Sequence, residues 1–380
     1  MNDFTPQRVH IGETGSAEFL QEILTSHQVK KIFLVTGKKS FKISGAKDWL
    51  QPNLQQKKVI HFTEFSENPK TEELERGIIL YKEMAPDLIL AIGGGSAMDT
   101  AKSIGFFAHT EINPATYLKT GGMKNEKMQT LKPSPFLMVA VPTTAGTGSE
   151  ATHFAVLYLN GKKYSLAEDS LFPPYVILNP HFTSSLSPYL TACTGMDALA
   201  QAIESLWAKG ATKESRSYAK KAIKLAIEYL EPAVNTGSGN SREKMIQAAY
   251  WAGRAINISK TTLCHALSYY MTSHYNYPHG HAVALFLPTG FEEHIKRSVL
   301  SPSFLQQLPE NPTDYLKNLT QQLGLVPRHN FTEKEIATIA SRVNSDRMKN
   351  NPIAFSQTEL QALVKSSLIP AKVSPKKRKR

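Results

Sequence analysis

The stretch that most constrains this chain runs from residue 87 to residue 102. Asp87-Leu88-Ile89-Leu90-Ala91-Ile92 is a continuous apolar run of strand length, and it passes directly into Gly93-Gly94-Gly95-Ser96-Ala97-Met98-Asp99-Thr100-Ala101-Lys102. An apolar run without alternation belongs to a strand covered on both faces, as in a parallel sheet. Glycines let the backbone approach a ligand closely. The helix behind them turns free N–H groups and a positive dipole end toward a phosphate. The turn is neither the G-x-G-x-x-G fingerprint nor a P-loop, but it sits at the carboxyl end of a strand, where open α/β sheets bind their ligands.

The flanking pattern extends this unit. Residues 8–11, 31–35, 59–62, 136–141 and 175–180 read as further strands, and residues 18–24 and 71–84 as helices. Strands alternating with helices predict a parallel α/β sheet. A second loop rich in hydroxyls and glycine, Pro142-Thr143-Thr144-Ala145-Gly146-Thr147-Gly148-Ser149-Glu150, follows the strand at 136–141. From Ser187-Pro188 onward strand signals fade. Helical periodicity marks residues 196–207, 215–230, 241–256 and 262–273, then 314–323, 333–343 and 357–368. The expected organisation is an α/β nucleotide-binding domain at 1–185, an all-helical domain at 186–373, to which the residues below assign metal binding, and a basic tail at 374–380.

With 380 residues the chain is long enough for two domains. No run approaches the ~20 apolar residues of a membrane span, and residues 1–5 lack the basic and apolar segments of a secretory signal. Two cysteines, Cys193 and Cys264, make no disulfide framework, so a cytoplasmic protein is expected. The net charge is +12, and five of those charges are the last five residues, Lys376-Lys377-Arg378-Lys379-Arg380. We read this tail as solvated and a nucleic-acid partner as unlikely, because no nucleic-acid motif accompanies it. The positive charge on the rest of the chain suits ligands that carry phosphate-like charge.

Residues 264–281 hold four histidines, His265, His274, His279 and His281. One imidazole on a helix and one after Pro278 can converge on a single ion. Upstream, Asp197 and Gln201 are four residues apart and share a helix face. Asp197, His265 and His279 supply one anionic and two neutral ligands, which suits one divalent metal, Fe2+ or Zn2+, with a coordination position left open.

Gly-Gly-Gly-Ser-x-x-Asp-x-x-Lys at 93–102, Pro-Thr-Thr-x-Gly-Thr-Gly-Ser-Glu at 142–150, Thr-Gly-x-Asp-Ala at 194–198 and His265 followed by Pro-His279-Gly resemble the iron-containing alcohol dehydrogenase family. The motifs stand in family order. The resemblance implies a dehydroquinate synthase-like architecture: a dinucleotide-binding α/β domain, an all-α C-terminal domain and a metal in the cleft between them. It implies that Gly94, Gly95, Ser96, Asp99, Thr143, Thr144, Thr147 and Lys163 hold the nucleotide, and that Asp197, His265 and His279 hold the metal. By analogy with the family a homo-oligomer, a dimer, is expected.

The sequence departs from the common family pattern at three positions. Gln201 stands where many members carry a histidine ligand, and Tyr269 where many carry another histidine. Gly37 stands where NAD-preferring members place an Asp for the ribose hydroxyl. Gly37 with Lys38 and Lys39 should accommodate a 2′-phosphate, so NADPH is expected over NADH. The segments Lys162–Leu166, Ala202–Trp207 and Ser259–Thr262, with the surroundings of His265 and His279, resemble the phosphonoacetaldehyde reductase branch of the family. Lys260, Thr261 and Thr262 before the His265 helix are the expected seat of a small anionic aldehyde: a cation, two hydroxyls and a helix N-terminus. For proton transfer His281 is placed ahead of Tyr269, while His274 and Cys264 are read as packing residues. A reductase of another small aldehyde or ketone, or a sugar-phosphate cyclase of the same architecture, are the alternatives.

Overall fold

The computed structural model describes residues 7–110, 112–121, 136–306, 308–343 and 345–369; the basic tail and the first six residues lie outside them. Six parallel strands form one sheet: β1 (Arg8–Ile11), β2 (Lys31–Thr36), β3 (Lys58–Phe62), β4 (Leu88–Gly93), β5 (Met138–Pro142) and β8 (Tyr175–Leu178), in the order β1-β8-β5-β4-β2-β3. Alternate residues of the apolar strands feed two layers. Ile32, Leu34, Leu90, Ile92 and Val139 pack on one face with Leu20, Ile23 and Leu24 of α1 (Ser16–Ser26). Phe33, Val35, Ile89, Ala91 and Ala140 pack on the other. There they meet α2 (Thr71–Met84) and α3 (Gly95–Ala108). This two-sided burial is why the strands read as continuous apolar runs.

An antiparallel hairpin, β6 (Phe154–Leu159) and β7 (Lys162–Ala167), stands off the sheet. Its two-residue turn is Asn160-Gly161, both with positive φ, at 50° and 73°. An Asn-Gly pair beside an alternating run is a hairpin signal, and the hairpin is an addition to the expected strands. The hairpin carries Lys163 to the cleft.

The helical half begins at α4 (Pro188–Trp207), where Ser187 Oγ accepts from Leu190 N. It continues through α5 (Lys213–Asn235), α6 (Gly239–Ser259), α7 (Leu263–Tyr275), α8 (His279–Lys296), α9 (Pro312–Gln322), α10 (Glu333–Ser341) and α11 (Gln357–Leu368). α4 is central: from Thr191 to Trp207 every residue except Thr194 is buried. α8 is the element the periodicity reading lacked. Pro288 lies inside it, and an interior proline argues against a helix in sequence. The two halves are sewn together where Gly148, at φ 61°, presses on α6; a Cβ there would lie 2.6 Å from Gly253 Cα. Among the described residues no helix is long and apolar enough to cross a membrane.

Candidate active site

β4 and β5 end side by side, with Gly93 opposite Pro142, so the two loops of the sequence reading emerge together at the carboxyl edge of the sheet. Side chains on the glycines would fill the space between them. A Cβ on Gly95 would stand 3.0 Å from Thr147 Cγ2, and one on Gly94 3.4 Å from Thr144 Cγ2. Lys102 braces the second loop from behind: its buried ammonium donates to Ser149 O at 2.5 Å, Thr152 O at 2.8 Å and Phe154 O at 2.9 Å. Asp99 accepts from Ser149 Oγ at 2.8 Å and Val156 N at 3.1 Å, joining α3, the loop and the hairpin.

A cleft of about 740 Å3 starts at these turns and ends on the helical half. All the candidate residues line it except Lys38, Thr262 and His281. At its far end Asp197 of α4, His265 of α7 and His279 of α8 bring one ligand atom each within 4.8 Å of one another. His265 Nε2 lies 3.3 Å and His279 Nε2 3.8 Å from Asp197 Oδ1.

The residue that organises this cluster is Glu204, a carboxylate within the Ala202–Trp207 segment that the sequence alone does not single out. It sits seven residues after Asp197, on the same stripe of α4 as Gln201, and is fully buried. Its carboxylate takes His265 Nδ1 at 2.5 Å, Cys264 N at 2.6 Å, Thr262 Oγ1 at 3.0 Å and Thr262 N at 3.2 Å. One buried carboxylate therefore caps α7 and holds the His265 ring, leaving Nε2 toward the cleft. Burial disfavours charge on His265, but Glu204 and Asp197 outweigh it and push the imidazole up to about 10. Burial sends His279 the other way, to about 3. The cluster thus calls for positive charge between its carboxylates.

Gln201 donates Nε2 to Asp197 Oδ2 at 3.1 Å and to Thr147 O at 3.3 Å, while its buried Oε1 has no hydrogen-bond partner. Two imidazoles and a carboxylate form a donor set that fits one Fe2+ or Zn2+.

Three expectations need correction. His281 is buried outside the cleft, with Nδ1 2.8 Å from Tyr189 Oη and Nε2 2.9 Å from Val326 O; burial lowers its pKa to about 4. It anchors α8 and is not placed to pass a proton. Thr262 serves Glu204, and its hydroxyl also accepts from Trp207 Nε1 at 2.7 Å, so neither it nor the α7 N-terminus is available to a substrate. Lys38 is exposed away from the cleft, and Lys39 lines it instead.

Tyr269, one turn after His265, does face the cleft. Its ring lies nearly parallel to that of His279, centroids 6.3 Å apart, and Lys163 Nζ stands 4.0 Å from its centre. Burial raises the phenol, but Lys163, Arg347 and His265 outweigh it and bring Tyr269 below its usual value. His274 stacks on Tyr270 at the surface and Cys264 is buried in the core, as packing residues are.

Comparison with known proteins agrees with this layout. The iron-containing alcohol dehydrogenase model matches residues 6–180, and the C-terminal model of the Fe-containing alcohol dehydrogenase family matches 191–368. Aldehyde-alcohol dehydrogenase 2 of Entamoeba histolytica is 33% identical over 73% of the chain, which spans only 32% of that longer protein. Long-chain-alcohol dehydrogenase 1 of Geobacillus thermodenitrificans is 31% identical, covering 74% of this chain and 71% of its own. Among solved structures, sulfoacetaldehyde reductase from Bifidobacterium kashiwanohense in complex with NAD+ superposes with a TM-score of 0.86 at 29% identity, over 98% of this chain and 100% of that one. Two adjoining family models, matched from the first sheet strand to the last helix and over the motifs that build the cleft, make the chain a member of the iron-containing alcohol dehydrogenase family.

Proposed function

We propose that the protein is a metal-dependent, NAD(P)H-linked alcohol dehydrogenase that acts as reductase of a small anionic aldehyde, with phosphonoacetaldehyde the first candidate. The observation that carries this reading is a single cleft, continuous from the glycine turn after β4 to the cluster of Asp197, His265 and His279. Those three residues, with Gln201 Oε1, would hold the cation. Gly37, Gly94, Gly95, Ser96, Asp99, Thr143, Thr144, Thr147 and Lys163 would hold the nucleotide. When bound, the two groups supply a Lewis acid for a carbonyl oxygen and a hydride for its carbon.

The chain's own residues do the remaining work. Glu204 keeps the proton on His265 Nδ1 and fixes the ring. Tyr269 takes the place of His281 as proton donor, releasing the Oη proton to the nascent alcohol. The ammonium of Lys163 over the ring favours the phenolate left behind. The fold neighbour from Bifidobacterium kashiwanohense acts on sulfoacetaldehyde, which supports an anionic aldehyde while offering sulfonate as the other head group. We place the enzyme in the cytoplasm as a homodimer, which size-exclusion chromatography with light scattering would check.

The test combines metal analysis of the purified protein with an NADPH oxidation assay. We expect about one iron or zinc per chain and one NADPH consumed per phosphonoacetaldehyde reduced, with kcat/KM higher for NADPH than for NADH. Butyraldehyde turned over as well as phosphonoacetaldehyde would defeat the substrate assignment. Turnover of a sugar phosphate without net NAD(P)H consumption would make the protein a cyclase instead.

A further inference from the structure

We propose that Lys260 and Arg347 form the receptor for the substrate's anionic end, and that the strained backbone of Lys260 is kept to aim its ammonium group into the cleft. This rests on the anionic-aldehyde reading above. Lys260 follows α6 with φ 61° and ψ 176°, a region of backbone space that is essentially reserved for glycine. A lysine persists there only if the surroundings over-determine it. Lys260 is exposed at the rim of the cleft, so burial does not explain the choice of residue.

The surroundings do over-determine it. Lys260 N donates to Ile256 O at 2.9 Å, and its carbonyl accepts from Ser259 Oγ at 3.1 Å. On either side, Asn350 Nδ2 donates to Ser259 O at 2.8 Å and to Thr261 O at 3.2 Å. Asn350 directly follows the short helix Ser345–Lys349 that carries Arg347, and its Oδ1 accepts from Gly210 N at 3.1 Å. The same side chain therefore holds the strained turn on both sides and ties it to the segment that carries Arg347. Lys260, Thr261 and Arg347 all line the cleft that contains His265 and His279.

Arg347 lies within electrostatic reach of the hydride-accepting end, since it helps depress both Lys163 and Tyr269. Asp99, Asp197 and Glu67 also line the cleft; Asp99 accepts from Ser149 and Val156, with burial disfavouring its charge, and Asp197 faces the two histidines. The guanidinium fork alone would take a carboxylate as readily, but a guanidinium, an ammonium and a hydroxyl together offer donors for three oxygens, which a phosphonate or sulfonate presents and a carboxylate does not.

The experiment uses the full chain loaded with metal. Ethylphosphonate, ethanesulfonate and propionate, which carry no carbonyl to reduce, are titrated by calorimetry into the wild type and into Lys260→Gly, Arg347→Met and Arg347→Lys. The expected result is tighter binding of the tetrahedral anions than of propionate. Lys260→Gly and Arg347→Met should each weaken it at least about ten-fold, as loss of a charge-assisted hydrogen bond implies, and Arg347→Lys should keep part of it. Lys260→Gly should also melt at a higher temperature than the wild type, because glycine relieves the strain. Whichever tetrahedral anion binds tighter identifies the head group.

Unchanged anion affinity in either charge-removing variant overturns the proposal, as does failure of the wild type to bind the anions or a Lys260→Gly protein that melts lower. If the probes bind as expected but no anionic aldehyde is reduced preferentially, the substrate assignment falls and the receptor stands. If anionic aldehydes are preferred while the variants bind normally, the receptor falls and the substrate assignment stands.

Discussion

Glu204 and Glu150 are both buried carboxylates, and they behave in opposite ways. Glu204 has four donors around it, so burial is outweighed and its pKa lies below the ordinary value. Glu204→Gln keeps the shape but turns an NH2 toward some of those donors. We expect metal affinity to fall about 10- to 100-fold, read by chelator competition and metal content. Glu150 has a buried Oε1 without a partner, and burial raises its pKa to about 7 despite Lys102. The native state then holds a proton that the unfolded chain releases above 4.5. This contribution to stability is complete below pH 4.5 and is lost as pH rises through 7. Glu150→Gln should flatten stability between those values, a change on the order of a few kcal/mol by denaturant titration at each pH. Residues such as His265 and Asp197 are legible in sequence because metal ligands are chemically uncommon in apolar helices. Arg347 is not: an arginine in a short polar segment carries no signal until the fold sets it on the cleft that Lys260 and Thr261 also line.

At the level of elements, α8 packs tightly on α4 because glycine stands at their contact. Gly280, the second residue of α8, lies against α4 so closely that a Cβ would stand 1.9 Å from Cys193 O. That obstacle is backbone, which cannot rotate away. Gly280→Ala should therefore push the α8 N-terminus off α4, carry His279 out of the ligand set and cost about 3 kcal/mol, measured as loss of bound metal and a lower denaturation midpoint. The misassignment of His281 also belongs to this scale. Once residues 279–296 are helical, His279 and His281 are separated by about 200° around the axis, so only one of them faces the cleft. Pro288 concealed that helix. Tyr269 is four residues after His265, close to one full turn, and so shares its face.

For the molecule as a whole, the sheet offers the turns at the ends of β4 and β5, the helical half offers the ligand cluster, and one cleft joins them. Because the ligands come from three helices, a bound cation ties α4, α7 and α8 together. Fe2+ or Zn2+ at about 100 times its Kd should add about 2.7 kcal/mol of stability, seen as a Tm that falls on chelation and recovers on readdition. By itself the sequence determined the alternation of strands and helices, the two phosphate-type turns and the identity of Asp197, His265 and His279 as candidates. Each is written in local periodicity or in residue chemistry at short spacing. Only the tertiary structure decided that Glu204 commands His265, that Thr262 and His281 turn away from the cleft, and that Lys260 and Arg347 share a rim. The physical reason is that a side chain's role depends on which partner reaches it first. Here those partners, Glu204 for Thr262, Val326 for His281 and Asn350 for the Lys260 turn, lie tens of residues away along the chain.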